Sequence, residues 1–260
     1  MNGAEQLETY LQNLSWVSAD FKLSPLKGGT INHNYKLQSD TDCYLVKNFV
    51  GEEFVLLTRN DSFALQRKLA ELGLAPEPVH ISDDDLIHIE KWCEIETLND
   101  HMFTADLHLP LLADSLTAVH NVSVKVDELP LLAQWQRYLN RIEKDQSYWQ
   151  QRINNTAHLW MQAKRDCFCH HDLAFEHICL SPKGILLDWE YAARSNRYFD
   201  IANAVLVNQL SNKHIKLLCG YYGRQNGLSE ASVLRQVIGM LPVAQLTADL
   251  WYAAAEQQTD

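Results

Sequence analysis

The chain has 260 residues, enough to bury a full apolar core as one large domain or two lobes. Its 47% hydrophobic and 21% charged residues exclude a disordered or fibrous chain. A formal net charge of −11 argues against nucleic acid or an anionic membrane as partner and is compatible with a cationic small molecule.

Met1 to Leu14 is acidic and spaces Leu7, Tyr10, Leu11 and Leu14 as an amphipathic helix. It lacks the basic start and apolar stretch of a signal peptide, and no later run reaches the length of a membrane span. A cytoplasmic protein with its six cysteines reduced is therefore expected. Leu23 to Leu37 reads as two strands around Lys27-Gly28-Gly29-Thr30, and Cys43 to Phe49 as a third. Asp61 to Leu72 switches to helical spacing, with Asn60 or Asp61 as cap and Gly73 as stop. Val79 to Ser82 and Leu86 to Trp92 form a strand pair around the turn Asp83-Asp84-Asp85.

Beyond Cys93 the pattern is mainly helical. Leu111, Leu112, Ser115, Leu116 and Val119 make a buried stripe ending near His120, and long helical stretches follow over Leu131 to Ala163 and Ile201 to Leu250. Between them lies an H-x-D loop at His170 and Asp172, with a second carboxylate, Asp188, sixteen residues after the first. Ile178-Cys179-Leu180 and Ile185-Leu186-Leu187 are short β-prone runs joined by Ser181-Pro182-Lys183-Gly184, a type I turn by its Pro and Gly. Such a hairpin would bring Asp172 and Asp188 to one cleft. In a kinase-like site one Asp orients the alcohol nucleophile and the other holds Mg²⁺ on the ATP phosphates. The expected architecture is α+β, a β-rich lobe over 1–92 and a larger helical lobe over 93–260.

Gly28 and Gly29 would let backbone N–H groups approach a phosphate, and Lys47, on one strand face with Cys43 and Leu45, is a candidate phosphate lysine. Trp189, Glu190 and Tyr191 would offer a cationic substrate aromatic faces and a carboxylate. The local pattern also allows a plain hairpin turn at the glycines, a solvated edge lysine, and a core tryptophan. Cys167, Cys169, His170, His171, His177 and Cys179 crowd one segment, which raises a zinc-binding structural protein as a minor alternative. Their spacing offers no C-x₂-C knuckle, and packing as small hydrophobes is the simpler account.

The chain resembles the aminoglycoside phosphotransferase/choline kinase superfamily, in its bacterial thiamine kinase or choline kinase branch. The residues that carry the likeness are Lys27-Gly28-Gly29-Thr30-Ile31-Asn32-His33-Asn34-Tyr35, Lys47, Glu71-Leu72-Gly73-Leu74-Ala75-Pro76, His170-x-Asp172, Leu187-Asp188-Trp189-Glu190-Tyr191-Ala192 and Phe199-Asp200-Ile201-Ala202-Asn203. The resemblance implies a protein-kinase-like two-lobed fold that binds ATP and Mg²⁺. Asp172, with His170, would be catalytic, and Asp188 would ligate the metal. Lys47, Gly28, Gly29 and Asn32 would handle phosphates, and Glu90 to Trp92 would form an adenine-contacting hinge.

Two positions depart from the family pattern. The second metal ligand, an Asn five residues after the catalytic Asp, is His177 here, a nitrogen donor that suits Mn²⁺ better than Mg²⁺. The helix Glu that pairs with the lysine falls at Ser62. The resemblance thus implies a small-molecule kinase acting on a cationic alcohol, thiamine first and then choline or ethanolamine. The departures raise the alternative of a catalytically impaired nucleotide- or partner-binding protein. The choice among alcohols and the oligomeric state are left open by the sequence.

Overall fold

A computed structural model of the chain describes residues 3–26, 33–49 and 57–256. The glycine-loop residues Gly28, Gly29 and Asn32 lie outside them. The chain packs as two units, Met1–Glu96 with Cys179–Glu190, and Thr97–Ile178 with Tyr191–Asp260.

The first unit is built on a five-stranded antiparallel sheet in the order β1-β2-β3-β5-β4. Its strands are β1 (Lys22–Pro25), β2 (His33–Gln38), β3 (Cys43–Asn48), β4 (Pro78–Ile81) and β5 (Ile87–Lys91). Alternation of side chains along β5 gives the sheet two different faces. Ile87 and Ile89, with Val46 and Leu37, pack against Leu7 and Leu11 of α1 (Gly3–Gln12), so the amphipathic spacing of the N-terminal segment has a sheet to cover. His88 and Glu90 point to the other face, toward Phe63 and Gln66 of α2 (Arg59–Glu71). The α2 cap differs from expectation: Thr58, in extended backbone, accepts from the Asp61 N–H, and Asn60 already lies inside the helix. Gly73 ends the helix at φ 72, a conformation that favours glycine.

The segment 179–190 joins this unit because the Leu186 N–H donates to the Leu74 carbonyl at 2.8 Å. A boundary drawn at a single point near residue 92 does not capture that docking. The hairpin itself is narrower than the sequence suggests. Only β8 (Cys179–Ser181) is a strand, and its turn closes through Ile185 N–H to Pro182 O, one residue later than expected. Gly184, at φ 93, sits at the third position of that turn, where a positive φ selects glycine.

The second unit is mostly helical: α3 (Ala105–His120), α4 (Leu131–Arg141), α5 (Gln146–Gln162), α6 (Arg197–Val207), α7 (Asn212–Gln225) and α8 (Glu230–Glu256). The link between the units carries the two-residue β6 (Glu96–Thr97). The long helical stretches expected after Leu131 and Ile201 are each divided by short connections, the first at Asp145 with φ 56. Trp135, fully buried, donates from its indole to Thr247 Oγ1 on α8, and Tyr138 is equally enclosed. Both are core, as their helical spacing allows. A small antiparallel pair, β7 (Cys167–Cys169) with β9 (Ala193–Ser195), brackets the H-x-D loop. Among the described residues no helix is long and apolar enough to cross a membrane.

Candidate active site

The candidate residues fall into two sets, one in each unit. In the first, Lys47 Nζ lies 3.7 Å from Glu90 Oε2. These residues are diagonal neighbours on β3 and β5, since Lys47 faces His88 and Leu45 faces Glu90 in the register. Glu90 is buried, and its other partner is Gln66 on α2, whose amide N–H₂ donates to Oε2 at 2.6 Å and to Pro76 O at 3.0 Å. Burial pulls the lysine toward deprotonation, but Glu90, then Asp188 and Glu190, outweigh it and raise its pKa. Lys47 is thus held as a cation with three carboxylates around it. His88, opposite Lys47, is buried against the Phe63 ring, and burial followed by the Lys47 charge pushes its pKa down to about 3. A neutral imidazole below the lysine adds no competing positive charge.

The resemblance would place the lysine's carboxylate partner at helix position Ser62; the carboxylate beside Lys47 in the structure is that of strand residue Glu90. The sequence reading placed Glu90 in an adenine hinge and missed this pairing, because the diagonal neighbour on another strand depends on register. Asp188 adopts φ 62, a left-handed conformation that Asp tolerates better than most non-glycine residues. Trp189 is 4% exposed and its indole N–H donates to Leu186 O, so it packs as core of this unit. That enclosure removes it as an open aromatic face for a substrate. Glu190 and Tyr191 are half-buried. Trp92 carries the Lys36 ammonium over its ring at 4.3 Å and donates to Glu94, while its backbone N–H is taken by Cys43 O.

In the second unit, β7 delivers His170, His171 and Asp172. Two successive backbone N–H groups converge on one buried carboxylate: His170 N–H to Asp200 Oδ2 at 3.1 Å and His171 N–H to Asp200 Oδ1 at 2.6 Å. His171, at φ 69, makes the turn that aims them. Asp200 lies in the first turn of α6, behind the Asn196 cap, and also receives His120 Nε2 at 3.0 Å. Burial alone would raise the Asp200 carboxyl. The His120 hydrogen bond and the neighbouring His171, His120 and His170 rings win and hold it below the usual carboxylate range. The Asp172 N–H donates to His170 Nδ1 at 3.3 Å, so the fully buried His170 braces the backbone of the catalytic candidate.

Beyond Asp172 the loop is pinned by Asn208 at the end of α6, which accepts from Phe175 N–H at 2.8 Å and donates to Leu173 O at 3.0 Å. The sequence reading did not single out Asn208. His177 donates from Nδ1 to the Asp172 carbonyl at 2.7 Å, its Nε2 lies 3.9 Å from Glu176 Oε1, and its ring stacks 6.1 Å from that of His170. A carboxylate at Asp188 suits a hard divalent cation. The imidazole at His177 suits Mn²⁺ and fits Mg²⁺ poorly.

Residues 22–230 match the phosphotransferase enzyme family. Among solved structures, the choline kinase LicA from Streptococcus pneumoniae superposes with a TM-score of 0.77 at 18% identity, covering 99% of this chain and 92% of its own. An ethanolamine kinase from Plasmodium vivax gives 0.77 at 15% identity, covering 97% of this chain and 82% of that one. An aminoglycoside-3'-phosphotransferase of type VIII gives 0.63 at 14% identity, over 85% and 93% of the two chains. At these identities the likeness establishes the fold, the protein-kinase-like two-lobed α+β arrangement expected from the sequence. An uncharacterized protein of Metamycoplasma hominis is 27% identical over 155 residues, 56% of this chain, and that stretch spans 30% of its length.

Proposed function

Because the chain belongs to the phosphotransferase enzyme family, we propose that it transfers the terminal phosphoryl group of ATP to the hydroxyl of a small cationic alcohol in the cytoplasm. The observation that carries this reading is the lysine site. A buried carboxylate keeps Lys47 charged, and Asp188 and Glu190 add to the same field. An ammonium so placed donates to phosphate oxygens, and phosphoryl transfer depends mostly on such positioning and charge. Asp172, on a backbone braced by His170, Asp200 and Asn208, orients the substrate hydroxyl and accepts its proton. Asp188 and His177 hold the divalent cation, which when bound neutralises phosphate charge. Glu190 contributes negative charge for the cationic end of the alcohol, with Tyr191 beside it in sequence. The backbone of Glu90 to Trp92 serves adenine, and Gly28, Gly29 and Asn32 cover the phosphates.

Thiamine is favoured by the resemblance of the sequence motifs to bacterial thiamine kinases, and choline and ethanolamine are supported by the substrates that two of the structural relatives are named for. The test is ATP turnover against thiamine, choline, ethanolamine and an aminoglycoside, each with Mg²⁺ and with Mn²⁺. Turnover of one cationic alcohol supports the reading; turnover of the aminoglycoside alone overturns the substrate class. His177 favours a second reading, a nucleotide-binding protein without transfer. It gains if the folded protein binds ATP and turns over none of the four.

A further inference from the structure

Behind the H-x-D loop lies a second cluster whose two thiols have no part in the proposed phosphoryl transfer. Cys167 and Cys169 alternate on β7, so both thiols leave the same face of the strand. Their sulfurs are 3.5 Å apart. An imidazole nitrogen of His120, the last residue of α3, completes a group whose ligand atoms all lie within 4.8 Å of one another, with all three residues buried. A tetrahedral Zn²⁺ with Zn–S bonds of about 2.3 Å sets sulfurs about 3.8 Å apart, so the thiols need move only by tenths of an ångström.

Two further features point to a ligand. Ser195 lies directly opposite Cys167 in the β7–β9 register, which puts its side chain on the same face. It is fully buried, and its Oγ has no hydrogen-bond partner. A buried hydroxyl left unpaired is destabilising; a thiolate sulfur on Cys167 would give it an acceptor. His120 meanwhile has Nε2 on the Asp200 carboxylate at 3.0 Å. Metal-bound histidines commonly donate their far N–H to a carboxylate in this way. Nδ1 accepts from the Tyr222 hydroxyl at 2.8 Å, so an ion on Nδ1 would displace that hydrogen bond and leave the Tyr222 oxygen at hand as a fourth group.

We propose that Cys167, Cys169 and His120 form a structural site for a thiophilic d¹⁰ cation of the Zn²⁺ class. Loading breaks two S–H bonds, releases two protons to solvent and forms two metal–sulfur bonds, with no change of oxidation state. Two thiolates and a divalent ion together add no net charge to the interior. Because every ligand is enclosed, the ion enters as the chain folds. Once in place it ties α3 to β7 immediately before His170, and through His120 it fixes the carboxylate that holds the His170 and His171 N–H groups. Metal content tests the site without an activity assay, so its failure is distinguishable from a failure of the proposed phosphotransfer.

The experiment is elemental analysis of the protein purified without chelator from zinc-supplemented cells. It is joined by refolding with Cd²⁺ and observation of the ultraviolet thiolate-to-cadmium charge-transfer band. Wild type is expected to hold one Zn²⁺ per chain and to show the band. Cys167→Ala and the Cys167→Ala/Cys169→Ala pair, shown to be folded by circular dichroism, are expected to lose both. Cys43→Ala, outside the cluster, keeps both. If a cluster variant fails to fold, the decision rests on wild type, in which refolding with Zn²⁺ or Cd²⁺ should protect two thiols from alkylation. A wild type that neither contains nor takes up metal overturns the proposal. So does metal retained by the folded double variant, or a Cys167–Cys169 disulfide in the metal-free protein.

Discussion

Glu90 Oε2 receives the Gln66 amide at 2.6 Å and faces Lys47 Nζ at 3.7 Å, so helix α2 reaches the lysine through a strand carboxylate. This relay answers the loss of the helix Glu at Ser62. Glu90→Gln keeps the shape and removes the charge. Its expected effect is a raised KM for ATP and a kcat/KM lower by roughly 10- to 100-fold, or ~1.4–2.7 kcal/mol. Glu90→Asp should recover part of it. An unchanged KM for ATP in Glu90→Gln would show that the lysine is positioned by other groups. Gln66→Ala tests the next link. It leaves a buried carboxylate short of a donor and should lower unfolding free energy by about 1–3 kcal/mol in urea titrations.

The two acidic roles are separable. Asp172→Ala should abolish turnover and leave ATP affinity in the presence of metal nearly unchanged. Asp188→Ala should weaken metal-dependent ATP binding, read by calorimetry with and without the cation. Persisting turnover in the first variant, or unaltered affinity in the second, would reassign that residue.

Asn208 holds the loop from the side opposite Asp200, through Phe175 N–H and Leu173 O. Asn208→Ala frees both backbone groups. The expected result is a fall in kcat larger than the change in KM for ATP, with a stability loss of about 1–2 kcal/mol. Equal changes in kcat and stability-corrected active fraction would make Asn208 a structural residue only.

His88 gives the protein a defined sensitivity to acid. Its pKa falls from 6.5 to about 3 on folding, first through burial and then through Lys47. Between those values the unfolded chain binds a proton that the folded chain does not, so stability is complete above pH 6.5 and declines as pH falls toward 3. The slope from this one group is about 1.4 kcal/mol per pH unit. His171, also lowered by burial, acts with the same sign. Urea midpoints measured from pH 7 to pH 5 should fall in wild type and fall less steeply in His88→Leu. Parallel pH profiles for the two proteins would place the acid sensitivity elsewhere.

What the sequence made legible follows from the range of the interactions. Periodicity placed α1, α2, the end of α3 and the strands β1 to β5 near their observed bounds, because alternation and 3.6-residue spacing are local; the short β6, β7 and β9 carry too few residues to show a period. The H-x-D loop and Asp188 stood out because each motif is contiguous. The Thr58 cap was missed by two or three residues, since Thr58, Asn60 and Asp61 are all competent cap types and only the backbone decides. Glu90 was read as hinge because strand register, not spacing, puts it beside Lys47. Asp200 lay in a motif the sequence displays at 199–203, but its partners, the His170 and His171 N–H groups about thirty residues earlier, are set by tertiary packing; Asn208 serves the same loop from thirty-three residues or more away, and nothing in its local pattern marks it. Cys167 and Cys169 were visible, but His120 comes forty-seven residues before the first of them, so their grouping needed the packing of α3 on β7.

His177 bears most directly on the choice between enzyme and binder. Its Nδ1–H is committed to the Asp172 carbonyl, which fixes the ring, and its Nε2 lies 3.9 Å from Glu176 Oε1. An imidazole nitrogen is a weak partner for Mg²⁺, which dehydrates reluctantly and favours oxygen, and a better one for Mn²⁺. Wild type should therefore bind Mn²⁺·ATP more tightly than Mg²⁺·ATP and turn over faster with it. In His177→Asn an amide oxygen takes the position, so the Mn²⁺ advantage should shrink several-fold in both affinity and rate. Electron paramagnetic resonance of bound Mn²⁺ supplies the readout that turnover alone does not, since nitrogen hyperfine coupling from the imidazole should vanish in the Asn variant. A wild-type spectrum without that coupling would mean that His177 serves only to brace Asp172. Loss of turnover with both metals in His177→Asn would then follow from the broken Nδ1–carbonyl bond.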